Sequence, residues 1–288
     1  MYVIMGGTGH VGSGTAAALL GRGKQVLIIT RDAGRAGAWR DKGAILAEAD
    51  VEDVQSLRAA FRRGRRALLL NPPADISSDT DTVERRTLAN ILAALEGSGL
   101  EKVVAESTGG AQPGERIGDL NVLWELEEGL RRQAIPAAIN RAAYYMSNWD
   151  AQLGAARSGK ISTMYAAGLQ IPMAAPRDLG EAAARRLMSS LDDVGVRYVE
   201  GPRRYCSADV AKAFSAALGR PVDLVVTPRD GWRAAFRKLG FSEAAADSYA
   251  RMTEASVDSG FDMPDDALRG ATTLDTYIRD LVARASSG

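Results

Sequence analysis

The stretch "MGGTGHVGSG", residues 5–14, sets five glycines in ten positions between a short apolar run, "YVIM", and a helical pattern. Glycine tolerates left-handed backbone and lets another backbone or a ligand approach closely. Such a stretch is either a tight loop built for that approach or a flexible leader. The rest of the chain decides between them. The helical pattern runs from Val11 to Arg22, with Gly21 and Gly23 placed to end it. "QVLIIT" (25–30) is an unbroken apolar strand, and "AILAEAD" (44–50) and "RALLLN" (66–71) read as two more. After Asp81, the residues Leu88, Ile91, Leu92 and Leu95 share one helical face. "EKVVAES" (101–107) and "PAAIN" (136–140) are further strands, separated by a helix carrying Leu120, Leu123, Leu126 and Leu130.

This alternation predicts an α/β fold, a Rossmann-type doubly wound parallel sheet of right-handed βαβ units. The glycines then lie between the first strand and the first helix, where a leader cannot be. Beyond residue 150 the periodic segments turn mainly helical: 177–191, 207–218, 230–239, 242–257 and 273–284. Only "VRYVEG" and "VDLVVTP" interrupt them as short β candidates. The expected division is a nucleotide-binding domain over 1–150 and a smaller, mainly helical, substrate-binding subdomain over 151–288. Its short strands can extend the sheet, and its helices would cap the carboxyl edge, where doubly wound folds bind ligands.

Equal numbers of acidic and basic residues, 36 each, provide no general field toward nucleic acid or an acidic membrane. The basic run "RRGRR" (62–66) reads as a solvated turn before a strand. The single cysteine, Cys206, excludes an internal disulfide and a multi-cysteine metal site, and reads as a small core residue. No metal site is expected. No apolar run approaches the roughly 20 residues of a membrane span, and no basic leader precedes the apolar start. A cytoplasmic protein is expected, and a homodimer is compatible with the sequence.

Gly7, Gly9 and Gly12 satisfy G-x-G-x-x-G, and Gly6, Gly9 and Gly12 satisfy G-x-x-G-x-x-G. After a strand and before a helix, this spacing suits a tight turn and a pyrophosphate lying close to the backbone. Gly12 would allow close helix–strand packing. Gly6, Thr8, Gly9, His10, Val11 and Gly12 would then enclose the phosphates at the positive end of the helix. A tight turn with no ligand is the competing reading. The second strand ends "IITRD", with Arg31 placed 19 residues after Gly12. A guanidinium there suits a 2′-phosphate, with Arg35 assisting, so NADP(H) is the favoured cofactor. Asp32 leaves NAD(H) open, because an acid near this position binds a ribose 2′-hydroxyl; its alternative role is to cap the next helix.

In order and spacing these features resemble the NmrA-like group of atypical short-chain dehydrogenases/reductases. Its marks here are "GGTGHVG", "TRD", "EADVED" (48–53), "INRAAYYMSNW" (139–149) and "SADVAKAFSAALGRPV" (207–222). The group includes quinone reductases, dye reductases and redox-sensing regulators. The resemblance implies that Asp50 and Val51 flank an adenine, and that Asn71 and Pro72 line the nicotinamide side. Asp50 has an alternative role as a helix cap. Many short-chain reductases place Tyr-x-x-x-Lys about 13 residues after a serine. Here Ser107 and Thr108 end the fifth strand as required, but Asn121 and Glu125 stand where the tyrosine and lysine belong. An amide is no general acid, and Glu125 has the wrong charge. Thr108, Asn121 and Tyr144 are the remaining candidates for the reacting centre. Glu125, Glu127 and Glu128 read as a solvated helix face.

Tyr144, Tyr145, Met146, Asn148 and Trp149 follow the sixth strand and could wall a flat substrate or pack under the cap. His10 reads as a neighbour of the pyrophosphate or nicotinamide rather than as a general acid. Two functions remain open: an NADPH-dependent reductase of a conjugated small-molecule acceptor, or a non-catalytic NADP(H) sensor that binds a protein partner. In either case Arg31→Ala should weaken NADPH binding several-fold and leave NADH binding nearly unchanged. A fluorescence titration with both cofactors checks this, and equal losses would show the assignment to be wrong.

Overall fold

The computed structural model describes residues 1–34, 36–261 and 264–286. Its strands open with β1 (Tyr2–Ile4), β2 (Val26–Thr30), β3 (Ile45–Glu48), β4 (Arg66–Leu69), β5 (Lys102–Thr108) and β6 (Ala137–Ala142). Between them run α1 (His10–Leu20), α2 (Gly37–Asp41), α3 (Val54–Phe61), α4 (Thr80–Leu95) and α5 (Asp119–Arg131). Next come β7 (Tyr144–Tyr145), α6 (Leu153–Arg157), β8 (Lys160–Thr163), β9 (Ile171–Ala174), α7 (Pro176–Met188) and β10 (Gly195–Glu200). The chain ends with β11 (Arg204–Tyr205), α8 (Ser207–Leu218), β12 (Asp223–Val226), α9 (Trp232–Lys238), α10 (Glu243–Ser259), β13 (Leu268–Arg269) and α11 (Leu274–Arg284).

Eight strands form one sheet in the order β13-β10-β6-β5-β4-β1-β2-β3, and every pairing in it is parallel. The order reverses between β1 and β4, the switch point at which such sheets leave a crevice. Side chains alternate across the sheet. Val3 and Met5 join Leu57, Leu88, Ile91 and Leu126 on the α3–α4–α5 side, while Ile4 joins Ala16, Leu19, Ala183 and Leu187 on the α1–α7 side. Both faces are covered, which explains why the strands read as continuous apolar runs.

The chain beyond residue 150 serves both layers. β10 and β13 extend the main sheet, and α7 packs along α1. The rest forms a second core around Trp149, Met173, Tyr205, Phe214 and Ile278. The three-stranded sheet β11-β9-β7 and the parallel pair β12-β8 lie in this part. Cys206 is buried at the start of α8, where its thiol faces the Asp209 carboxylate at 3.5 Å.

The basic run before β4 is more than a solvated turn. Arg62 donates to the Gly97 carbonyl, and Arg66 donates to the carbonyls of Leu187 and Ser189 at the C-terminal end of α7. A cation on orphan carbonyls complements the negative end of the helix. At the other end of α7 the contact with α1 is backbone to backbone. A Cβ added at Gly180 would lie 2.6 Å from the Gly14 carbonyl carbon and the Thr15 nitrogen. Gly180→Ala should therefore force the helices apart and cost about 1–3 kcal/mol, the usual range for overpacking. Urea unfolding monitored by circular dichroism measures the cost; an unchanged midpoint would contradict the tight crossing.

Candidate cofactor and acceptor site

All the strands of the main sheet point the same way, so the residues that follow them collect at one edge. This edge brings together the glycine loop after β1, Arg31 after β2, Asp50 and Val51 after β3, and Asn71 and Pro72 after β4. Thr108 ends β5, and Tyr144 follows β6.

The loop turns at Gly6, which has φ +60°, and closes when the Gly9 N–H donates to the Gly6 carbonyl at 2.8 Å. A Cβ at Gly12 would collide with that same carbonyl, so Gly12 is required by the loop itself rather than by helix–strand packing. Gly7 instead packs on β2, where a Cβ would come 2.6 Å from the Ile28 side chain. Gly9 caps α1 without a side-chain acceptor. The first-turn N–H groups of α1 are therefore not taken by a capping side chain, as a phosphate site requires. Thr8, Gly9 and His10 are exposed and Val11 is buried. His10 lines a cleft of about 190 Å³ with Ser13, Arg177, Thr272, Tyr277 and Arg284, on the α7–α11 side of the loop.

Arg31 is exposed beside this loop, and Arg35 lies outside the described residues. Asp32 does not cap α2. Its carboxylate accepts from the Gly34 N–H at 2.9 Å, and α2 begins after Ala36 with no side-chain cap. Asp50 makes a similar turn by accepting from Glu52 N–H at 3.0 Å; the cap of α3 is Asp53, which accepts from Gln55 and Ser56. Asp50 is exposed, and the Val51 carbonyl accepts from Asn90 at 3.0 Å.

The Asn71 side chain is fixed at both ends. It donates to the Glu84 carbonyl at 3.0 Å and accepts from Thr87 at 2.8 Å. Glu84 is buried in α4 and accepts from the Ala74 N–H, so it ties down the segment after Asn71 and Pro72. Burial, reinforced by the Asp119 and Asp81 charges, pushes the Glu84 carboxyl up to about 7.

The end of β5 is held by a buried ion pair. Ser107 donates to Glu127 at 2.6 Å, and Arg141 holds both Glu127 oxygens at 2.8 Å while also donating to the Tyr198 hydroxyl at 2.9 Å. Glu127 is thus fully buried, contrary to the solvated helix face expected for it. Glu128 pairs with Arg131, and Glu125 with Arg85 at 3.2 Å. Asn121 is enclosed; its Oδ1 accepts from the Ile117 N–H at 2.8 Å, while its Nδ2 is buried with no partner among the described residues. Thr108 is partly exposed at the edge, paired in register with Ala142.

Tyr144 and Tyr145 diverge. Tyr144 packs on the second core, and Tyr145 packs with Val11 and Leu179 against the start of α1. Loss of water contact pushes the Tyr144 hydroxyl up to about 12 and raises Tyr145 as well. Met146 and Trp149 are buried, in keeping with the core-packing alternative, while Asn148 is exposed. Two further aromatics continue from Tyr144: Tyr165 meets its ring, and Phe261 meets Tyr165 in turn. Neither carries a signal in the sequence, since each is a lone aromatic in a loop, far along the chain from the "AYYM" run.

The sheet order and the uncapped glycine turn define a dinucleotide-binding class of α/β protein. Within that class the chain belongs to the NmrA-like family, whose model matches residues 2–278. An NAD(P)H azoreductase from Xenophilus azovorans is 24% identical over 248 residues, covering 86% of this chain and 84% of that protein. Two solved structures each superpose with a TM-score of 0.80 and cover 99% of the other chain. One is an NADPH-dependent quinone oxidoreductase from Escherichia coli complexed with NADPH, at 22% identity over 98% of this chain. The other is the Citrobacter triphenylmethane reductase complexed with NADP(H), at 20% identity over 97%.

Glu84 supplies a pH test of this edge. Its proton is held up to about 7 in the folded chain, against 4.5 for the ordinary group. The folded state therefore binds the extra proton in this window, and stability falls as pH rises from about 4.5 through 7, by ~3 kcal/mol. Glu84→Gln should flatten that part of the stability profile. Denaturant midpoints at pH 5 and pH 8 provide the comparison, and an equal slope in both proteins would exclude Glu84 as its source.

Proposed function

We propose that this protein is an NADPH-dependent reductase that transfers hydride to a flat conjugated acceptor without a Tyr–Lys pair. The observation that carries the reading is the pairing of an uncapped glycine turn with a partly exposed aromatic wall along one sheet edge. The names of the azoreductase, quinone oxidoreductase and triphenylmethane reductase relatives support it.

The residues fit the cofactor by their own geometry. A Cβ at Gly9 would sit 3.3 Å from the Gly6 carbonyl, on the exposed surface where a pyrophosphate would lie. Gly6, Gly9 and Gly12 would hold the pyrophosphate, Arg31 the 2′-phosphate, and Asp50 and Val51 the adenine. Asn71, Pro72 and Thr108 would border the nicotinamide. When bound, NADPH supplies the hydride. The chain's own part is to orient and to exclude water, which is positioning rather than acid catalysis.

Proton delivery by the chain has little support. Burial raises both the Tyr144 and the Tyr145 hydroxyl, and the Asn148 hydrogen bond offsets this only in part at Tyr144. Glu125 is engaged by Arg85, and Asn121 steadies the turn before α5. Acceptors that take their proton from water therefore suit the site. Tyr144 and Tyr145 would provide stacking surface, and this aromatic investment favours a reductase over a sensor.

NADPH oxidation at 340 nm against quinones, diaryl azo compounds and cationic triaryl dyes tests the reading. Turnover with at least one class is expected; tight NADPH binding with no turnover on any would favour the sensor. In the active case Asn121→Ala and Glu125→Gln should change kcat by less than about tenfold. A loss beyond about a hundredfold in Asn121→Ala, roughly 2.7 kcal/mol, would make the amide a catalytic group.

A further inference from the structure

Tyr144 is the inner member of a row of three rings. Its ring meets Tyr165 edge to face, with centroids 5.7 Å apart and planes at 87°. Tyr165 meets Phe261 in the same way, at 5.8 Å and 73°. The rings come from distant segments: one just beyond β6, one between β8 and β9, and one just beyond α10.

Backbone contacts fix each placement. The Tyr165 N–H donates to Thr163 Oγ1 at 3.1 Å, and its loop is pinned where the Ala208 N–H donates to the Ala167 carbonyl at 3.1 Å. Gly260 ends α10 with φ +76°, a conformation that turns the chain to bring Phe261 onto Tyr165. Farther back on α10, Met252 abuts Gly118, the residue that caps α5. One helix therefore links the turn before Asn121 to the outer end of the aromatic row.

All three rings rest on the second core yet remain partly exposed, and the row starts at the sheet edge. We propose that Tyr165 and Phe261 are acceptor-selecting residues, making the site favour acceptors with two or more linked aromatic rings over single-ring ones. The proposal rests on the reductase reading above. A single ring laid against Tyr144 gains one aromatic contact. A second linked ring reaches the next step of the row and gains another, with the offset or edge-on geometry that aromatic quadrupoles favour.

Binding separates this proposal from turnover. Calorimetry on the NADP⁺-bound protein would use methyl red as the two-ring probe and hydroquinone as the one-ring probe. Tyr165→Leu and Phe261→Leu keep apolar bulk in the second core, and thermal melts report their folding. Tyr165→Leu should weaken methyl red by about threefold to tenfold, the size of one aromatic pair. Phe261→Leu, which removes the ring that holds Tyr165 in place, should weaken it less but in the same direction. Hydroquinone should change by less than twofold, as should the NADPH affinity of the same variants. Equal weakening of both probes, or of neither, would overturn the proposal. Selective weakening in a protein that turns over no acceptor would uphold the row as a ligand wall and count against the reductase reading alone.

Discussion

The glycine-loop edge of the sheet depends on one close approach, the Gly6 carbonyl against the α-carbon of Gly12. Any side chain at residue 12 would occupy the carbonyl's place, so the loop can close over the start of α1 only with glycine there. With it closed, α1 begins without a side-chain cap, its first N–H groups turned toward the switch point between β1 and β4. The same helix then meets α7 at Gly14 and Gly180, which brings a later segment of the chain directly behind the loop. Loop, helix and sheet edge thus share one set of backbone contacts.

Much of this was legible in the sequence because a parallel sheet buried on both faces leaves simple traces. Unbroken apolar strands alternate with helices, and glycine triplets mark the turn. The reading stopped where packing reverses what charge suggests. Glu127 belongs to a run of acidic residues that looks solvated, but its position on α5 faces Arg141 across the end of β5. Only the three-dimensional register of β5 and β6 shows that pairing. Asp32 and Asp50 carried helix-capping signals, yet both close local turns, and Asp53 takes the capping role three residues after Asp50. Tyr165 and Phe261 had no signal at all, because what groups them is the meeting of two loops.

The electrostatics of the edge follow from this packing. Arg141 and Glu127 bury opposite charges beneath the edge, where Arg131 adds a second cation on Glu127 at 3.2 Å. Asn121 spends its oxygen on the turn before α5. The tyrosines are pushed away from easy ionisation. An edge arranged in this way fixes its side chains through buried pairs and backbone contacts.

The chain does not finish the sheet before it builds the second core. It passes from β6 out to β7, β8 and β9, returns through α7 and β10, leaves again for α8 to α10, and comes back at β13. No single cut separates the two cores, so the second core cannot be exchanged as a module. Diversification in such an architecture must proceed by replacing single side chains and resizing individual loops. The main sheet then stays intact, and any change beside it has to be accommodated one residue at a time.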